Sequence, residues 1–137
     1  DEKQPFSLLF IDLDGFKNIN DTYGHGVGDS LLRNIGQQVS VNIEYNDIFA
    51  RYGGDEFVLL LQNNLQSSHV NHKANRVLEL IKQPYKIGQH TLQVSACIGV
   101  ARYDGASAAN VDRLIHEADV AMYQAKNAGK DQVVLAG

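Results

Sequence analysis

Two glycines set between two apolar runs fix the centre of this chain. In "DIFARYGGDEFVLLL" (47–61) the runs before and after the glycines are short and rich in Ile, Phe, Val and Leu. Such runs, joined through Gly53 and Gly54, read as a β-hairpin, because both glycines can take the positive φ of a tight turn. Asp55 and Glu56 follow at once. Acids beside a turn are common as solvated residues, so the rest of the chain must decide whether these two do chemistry.

The flanking segments have the periods of both helices and strands. "SLLFID" (7–12) is a short apolar run ending in an acid and reads as a buried strand. Val27, Leu31, Ile35 and Val39 recur every four residues, which predicts a helix over 27–43. The hairpin strands follow at 47–52 and 56–62. Val70, Ala74, Val77, Leu78 and Ile81 predict a second helix, capped by Ser67 or Ser68 and closed by Pro84. "YKIGQHTLQVSACIGVARY" (85–103) reads as another hairpin turning at Gly88–Gln89, its second strand alternating Leu92, Val94, Ala96, Ile98 and Val100. Val111, Leu114, Ile115, Ala118, Met122 and Ala125 predict a third helix that stops at Gly129. A last strand covers 132–136. The order β-α-β-β-α-β-β-α-β implies an α/β (α+β) fold with a central, mostly antiparallel sheet flanked by helices.

Length and charge narrow the function classes. The 137 residues suit a single domain with one proper core. A formal charge of −4 with no Lys/Arg block argues against binding a nucleic-acid backbone. No apolar stretch approaches the roughly 20 residues needed to span a bilayer, so no direct membrane contact is expected of this domain. The start, "DEKQPFSLLF", lacks the basic region and long apolar run of a signal peptide. Both ends are abrupt, and the expectation is a domain excised from a larger protein. Cys97, the one cysteine, fits a reducing compartment and a small buried core position.

The first strand runs directly into "DLDGFKNINDTYGHGVGD" (12–29), a dense string of polar groups punctuated by glycine. Asp12 and Asp14 lie two residues apart, so they share a face if the strand persists that far. Gly24, Gly26 and Gly28 keep the approach to the next helix permissive, although the string matches neither a Walker A pattern nor GxGxxG. A central sheet brings the end of the first strand beside the glycine hairpin, so that Asp12, Asp55 and Glu56 face one pocket. Three carboxylates gathered without an arginine partner repel one another, and one or two Mg²⁺ ions are the usual remedy. Carboxylate-held Mg²⁺ with open positions serves phosphoryl and nucleotidyl transfer. His25, His69, His72, His90 and His116 lack the spacing of a zinc site, and no GxSxG or Cys/His pair suggests covalent catalysis.

"RYGGDEF", "DLDGFKNINDTYGHGVGD", "VSACIGV" (94–100) and "ADVAMYQAKNAGKD" (118–131) together resemble the GGDEF family, the diguanylate cyclases, in order and spacing from about residue 7 to 135. The resemblance implies a fold similar to the nucleotide cyclase and polymerase palm, and condensation of two GTP into cyclic di-GMP and two pyrophosphates across a homodimer. It implies Asp12, the backbone carbonyl of Leu13 and Asp55 as ligands to Mg²⁺ or Mn²⁺, two ions per active site, with Glu56 in support. Asp55 is also implied as the group that deprotonates the 3′-hydroxyl, and Lys17 as the cation that neutralises transition-state charge. Asn20 and Asp29 match the guanine-reading pair, and His25 would lie against the nucleotide. The backbone amides of Gly15 and Phe16 would meet the phosphates, and Lys126 and Lys130 would hold the terminal ones. Gly53 and Gly54 would leave bare backbone for the nucleotide to approach. A cytoplasmic location is implied, with a membrane anchor elsewhere in the parent protein left open.

Three departures accompany the resemblance. The family's product site is an Arg-x-x-Asp window five residues before the signature; here that window reads "EYND" (44–47), and Glu44 would repel a phosphate. Lys130 stands where arginine is usual, which removes a bidentate fork. The family's upstream "LTGLPNR"-like turn is also absent from the chain. The alternative function is a catalytically silent GTP-binding module that controls an attached domain; it is disfavoured by the two signature acids being in place.

Overall fold

A computed structural model describes residues 5–44, 46–62, 66–105 and 110–137. Its framework is a five-stranded sheet in the order β2-β3-β1-β6-β7. β1 (Phe6–Asp14) is the centre, antiparallel to both β3 (Glu56–Gln62) and β6 (Ser95–Tyr103). β2 (Ile48–Arg51) is antiparallel to β3 at one edge, and β7 (Gln132–Leu135) runs parallel to β6 at the other. This is the mostly antiparallel sheet expected from the sequence.

Both faces of β1 are covered, which is why its apolar run is continuous rather than alternating. Leu9, Ile11 and Leu13 point into a core shared with α2 (His25–Ser40) and α3 (Ser67–Ile81). Leu8 and Phe10 point the other way, onto Leu114, Ala118 and Met122 of α4 (Val111–Asn127). The period of two puts Asp12 and Asp14 on one face, as the alternation predicted, and that face is the one covered by α4. Gly99 of β6 makes this layer close: a Cβ there would run into the backbone at Ala118 and Met122, so α4 lies directly on the strand. No helix among the described residues is long and apolar enough to cross a membrane.

The structure departs from the sequence reading in several places. The polar string 12–29 contains a helix that the sequence reading did not expect, α1 (Phe16–Tyr23), separated from α2 by Gly24 at φ +92°. α2 begins and ends earlier than the 27–43 helix expected. Gln66, not Ser67 or Ser68, occupies the cap position of α3, with no side-chain cap hydrogen bond. Ser67 Oγ instead accepts from Arg102 at 2.6 Å. The segment 85–103 does turn at Gly88, but β5 (His90–Leu92) pairs only with β4 (Tyr85–Ile87) in a separate two-stranded sheet. The chain then breaks before β6, because Ser95–Tyr103 is claimed by β1. Gly129 ends α4 as expected: it takes φ +116°, and Lys130 N–H reaches back to Ala125 C=O at 2.9 Å.

The central hairpin forms, but not by the turn chemistry expected. Neither Gly53 nor Gly54 takes a positive φ. Tyr52 N–H and Gly53 N–H both donate to Glu56 C=O, at 2.8 and 3.3 Å. The Arg51 guanidinium forks over the loop and donates to the carbonyls of Gly53 at 3.0 Å and Gly54 at 2.8 Å. That clamp pins a turn that two glycines would otherwise leave loose.

Candidate active site at the end of the central strand

Register brings the acids together. Asp12 is the direct cross-strand partner of Glu56, and Leu13 N–H donates to Asp55 C=O at 3.1 Å. The end of β1 and the glycine hairpin are therefore neighbours in the central sheet, as the sequence reading expected. Burial, then the charge of Asp55, pushes Asp12 up to about 6, with Glu56 adding to the effect and Lys126 opposing it. Glu56 is also raised, by burial first and then by Asp55 and by Asp119 of α4. Gly53 has a local reason to lack a side chain: a Cβ would lie 2.5 Å from Glu56 Oε1. A Cβ on Gly54 would meet nothing within 4 Å, so that backbone faces open space.

The acids are not without a cation. Lys126 Nζ, from the last turn of α4, lies 2.8 Å from Asp14 Oδ1 and 3.4 Å from Asp12 Oδ2. Burial alone would lower the lysine, but the hydrogen bond to Asp14 and the charges of Asp12 and Asp14 hold it above the ordinary value. The sequence reading missed this pairing, because Lys126 reaches back across 112 residues to Asp14. It also gave Asp14 no role. The carboxylate is 7% exposed and accepts from Ser95 Oγ at 2.8 Å, Cys97 Sγ at 3.2 Å and Asp131 N–H at 3.0 Å. Burial opposes its ionisation, yet the donors Lys126, Ser95, Cys97 and Asp131 outweigh that and hold it below the usual carboxylate value. Cys97 is buried as expected, and its thiol is pushed up to about 11 by burial and by Asp14.

The remaining candidates lie on α1, on α2 and in the turn after α4. Gly15 is the N-cap of α1 at φ +80°, with no side-chain cap hydrogen bond, so the first N–H groups of α1 are left for an outside acceptor. Phe16 is buried beneath them and Lys17 is exposed. Asn20 lies against Gly28, where a Cβ would overlap Asn20 Oδ1. That oxygen is buried with no hydrogen-bond partner. Asp29 and His25, in the first turns of α2, are exposed, as is Lys130. Among the described residues no three His, Cys, Asp or Glu side chains are gathered as a ready metal-binding group. The chemistry of the side chains suits a hard dication nonetheless: Asp12 and Asp55 offer carboxylate oxygens, and Mg²⁺ is commonly held by one or two carboxylates plus substrate phosphates. Glu44 and Asp47 lie apart from this site, Asp47 at the opposite end of β3 from Glu56. Glu44 is paired with Lys73 at 2.8 Å, and Asp47 accepts from Glu44 N–H and Gln62 N–H at 3.2 and 3.3 Å.

Comparison with known proteins gives this arrangement a family. A profile described as diguanylate cyclase, GGDEF domain, matches residues 1–132. The chain is 42% identical over 126 residues to the bifunctional diguanylate cyclase/cyclic di-GMP phosphodiesterase MucR of Pseudomonas aeruginosa, covering 92% of this chain and 18% of MucR. It is 38% identical over 134 residues to diguanylate cyclase DosC of Escherichia coli K12, covering 96% of this chain and 28% of DosC. The chain thus spans less than a third of either relative. Among solved structures it is similar to the GGDEF domain of YfiN (TpbB) from Pseudomonas aeruginosa, with TM-score 0.90, 34% identity, and coverage of 98% of this chain and 84% of that one.

Proposed function

The chain belongs to the GGDEF family of diguanylate cyclase domains, and from that premise we propose that it condenses two GTP into cyclic di-GMP and two pyrophosphates. The observation that carries the reading is the cross-strand meeting of Asp12 with the 55–56 acids beneath Lys126. In each half-reaction the 3′-hydroxyl oxygen of one GTP attacks the α-phosphorus of the other. A P–O bond forms, the bond to the pyrophosphate breaks, and the hydroxyl proton passes to the Asp55 carboxylate. Asp12, the Leu13 carbonyl and Asp55 would hold Mg²⁺ or Mn²⁺, two ions per site, with Glu56 in support. The ions would polarise the attacking hydroxyl and neutralise phosphate charge.

The other roles follow from chemistry already in place. Asn20 Oδ1 is a buried acceptor without a donor, which suits the N1–H or 2-amino group of guanine. Asp29, exposed one residue beyond Gly28, would accept from the same edge, and His25 would flank the base. The Gly15 and Phe16 amides at the uncapped start of α1 would meet phosphate, with Lys17 stabilising charge as it develops. Lys126 and Lys130 would hold the terminal phosphates, and the open backbone at Gly54 admits the nucleotide. One GTP site per chain requires a homodimer, since each hydroxyl must attack a nucleotide held by the other copy. We place the domain, residues 1–137, in the cytoplasm, where GTP is supplied, as one part of a larger signalling protein.

The decisive variant is Asp55→Asn, which keeps the shape of the turn and removes both basicity and metal affinity. It is expected to make no cyclic di-GMP while its circular dichroism and melting temperature match wild type. Turnover like that of wild type would overturn the assignment. GTP bound by the wild type but never converted would favour a regulatory module instead.

A further inference from the structure

We propose that Asp14, which coordinates nothing in the reaction described above, is the positioning residue that holds both phosphate-facing lysines, Lys126 and Lys130, in place. The inference rests on the nucleotidyl-transfer reading and names how its triphosphate end is built. Asp14 receives four donors. Its Oδ1 takes Lys126 Nζ at 2.8 Å and Cys97 Sγ at 3.2 Å; its Oδ2 takes Ser95 Oγ at 2.8 Å and Asp131 N–H at 3.0 Å. Two of the four come from β6, at the floor of the site. The other two come from the end of α4 and the turn after it, so one buried carboxylate ties the lysine-bearing segment to the sheet.

The first arm is direct. An ammonium has three donors, and the one spent on Asp14 fixes where the others point. The long lysine side chain is 21% exposed and ordered by a charge-assisted bond before any nucleotide arrives. The second arm runs through the backbone. Gly129, Lys130 and Asp131 take φ of +116°, +64° and +54° in succession. Non-glycine residues pay for that conformation and keep it only where the surroundings over-determine it. Here Lys130 N–H is held by Ala125 C=O at 2.9 Å, Asp131 N–H by Asp14, and the Asp131 carboxylate by Lys82 at 2.9 Å. Removing the Asp14 anchor frees the backbone amide next to Lys130 and leaves Asp131 tied only through its side chain to Lys82.

Asparagine at position 14 can replace only one of the two oxygens. Its amide nitrogen would face either the Lys126 ammonium or the Asp131 N–H, a donor against a donor. The test measures binding of 3′-deoxy-GTP, which has no attacking hydroxyl, and of GMP, which has no terminal phosphates, to the 137-residue chain in Mg²⁺. Asp14→Asn is expected to weaken 3′-deoxy-GTP about tenfold, the scale of one lost charged hydrogen bond, and to leave GMP within about twofold. With Lys126→Ala added, the losses should overlap rather than multiply. A merely structural acid would weaken both nucleotides together; equal losses, or none, overturn the inference. If Asp14→Asn does not fold, hydrogen exchange on the wild type decides: the Asp131 amide is expected to be protected without nucleotide, and exchange at the rate of an open loop overturns it. Wild type that binds no guanine nucleotide sinks the nucleotidyl-transfer reading itself, and the inference with it.

Discussion

Gly28 lacks a side chain because the amide of Asn20 fills the space one would take, with Phe16 closing the other side. Gly28→Ala is therefore expected to displace the amide, cost roughly 1–3 kcal/mol of stability as an overpacked site, and erode the preference for GTP over ATP. Nucleotide titrations on the variant check this; an unchanged GTP/ATP ratio would show that Asn20 does not read the base. Asp12 makes a second prediction. Its value in the folded protein, about 6, lies above the ordinary 3.8. Between those values the folded state binds more protons than the unfolded one, so stability from this group falls as pH rises through the window. Without divalent ions, Asp12→Asn should raise the melting temperature at pH about 7.5, by an amount worth roughly 1–3 kcal/mol, and leave it nearly unchanged at pH about 4. Destabilisation at the higher pH would contradict the account. Asp12, Asp55 and Glu56 were legible in the sequence because strand alternation and a hairpin are local rules. The partners of Asp14 were not, since positions 95, 97, 126 and 131 meet it only through the sheet and α4.

Elements were legible where one period dominated and obscured where two signals competed. β1 and β3 follow their continuous apolar runs, and α3 and α4 their apolar repeats. α1 went unexpected, although Phe16, Ile19 and Tyr23 have helical spacing, because so short an apolar repeat is masked by five polar side chains and by Gly15 and Gly24 at its ends. The alternation from Leu92 to Val100 ran straight through a break that exists only because β1 needs Ser95–Tyr103 as its neighbour. A single glycine inside the apolar "SACIGV" was the available sign that a helix would approach closely there. Gly99→Ala tests that packing: a methyl group would have to displace the α4 backbone rather than a flexible side chain. The expected cost is about 3 kcal/mol or more, with a lower melting temperature and weakened binding of triphosphate, because Lys126 moves with α4. Stability within 0.5 kcal/mol of wild type, a margin of about the size seen for neutral surface changes, would mean that the helix does not sit on the strand so closely.

At the scale of the whole molecule, the reaction asks for more than one copy of the chain. On the proposed reaction each copy would hold one GTP, while cyclic di-GMP joins two through symmetric 3′–5′ bonds, so a two-fold, antiparallel pairing of two copies is the simplest geometry that would serve both attacks. Specific activity should then rise with protein concentration, and fusion to a parallel coiled coil should raise it at a given concentration. The most direct test incubates the chain with GTP and Mg²⁺ from nanomolar to micromolar protein and measures cyclic di-GMP and pyrophosphate by chromatography with mass detection. The account predicts two pyrophosphates for each cyclic di-GMP and a rate per chain that climbs with concentration. Bound GTP that stays unconverted at every concentration, in the coiled-coil fusion as well, would contradict it.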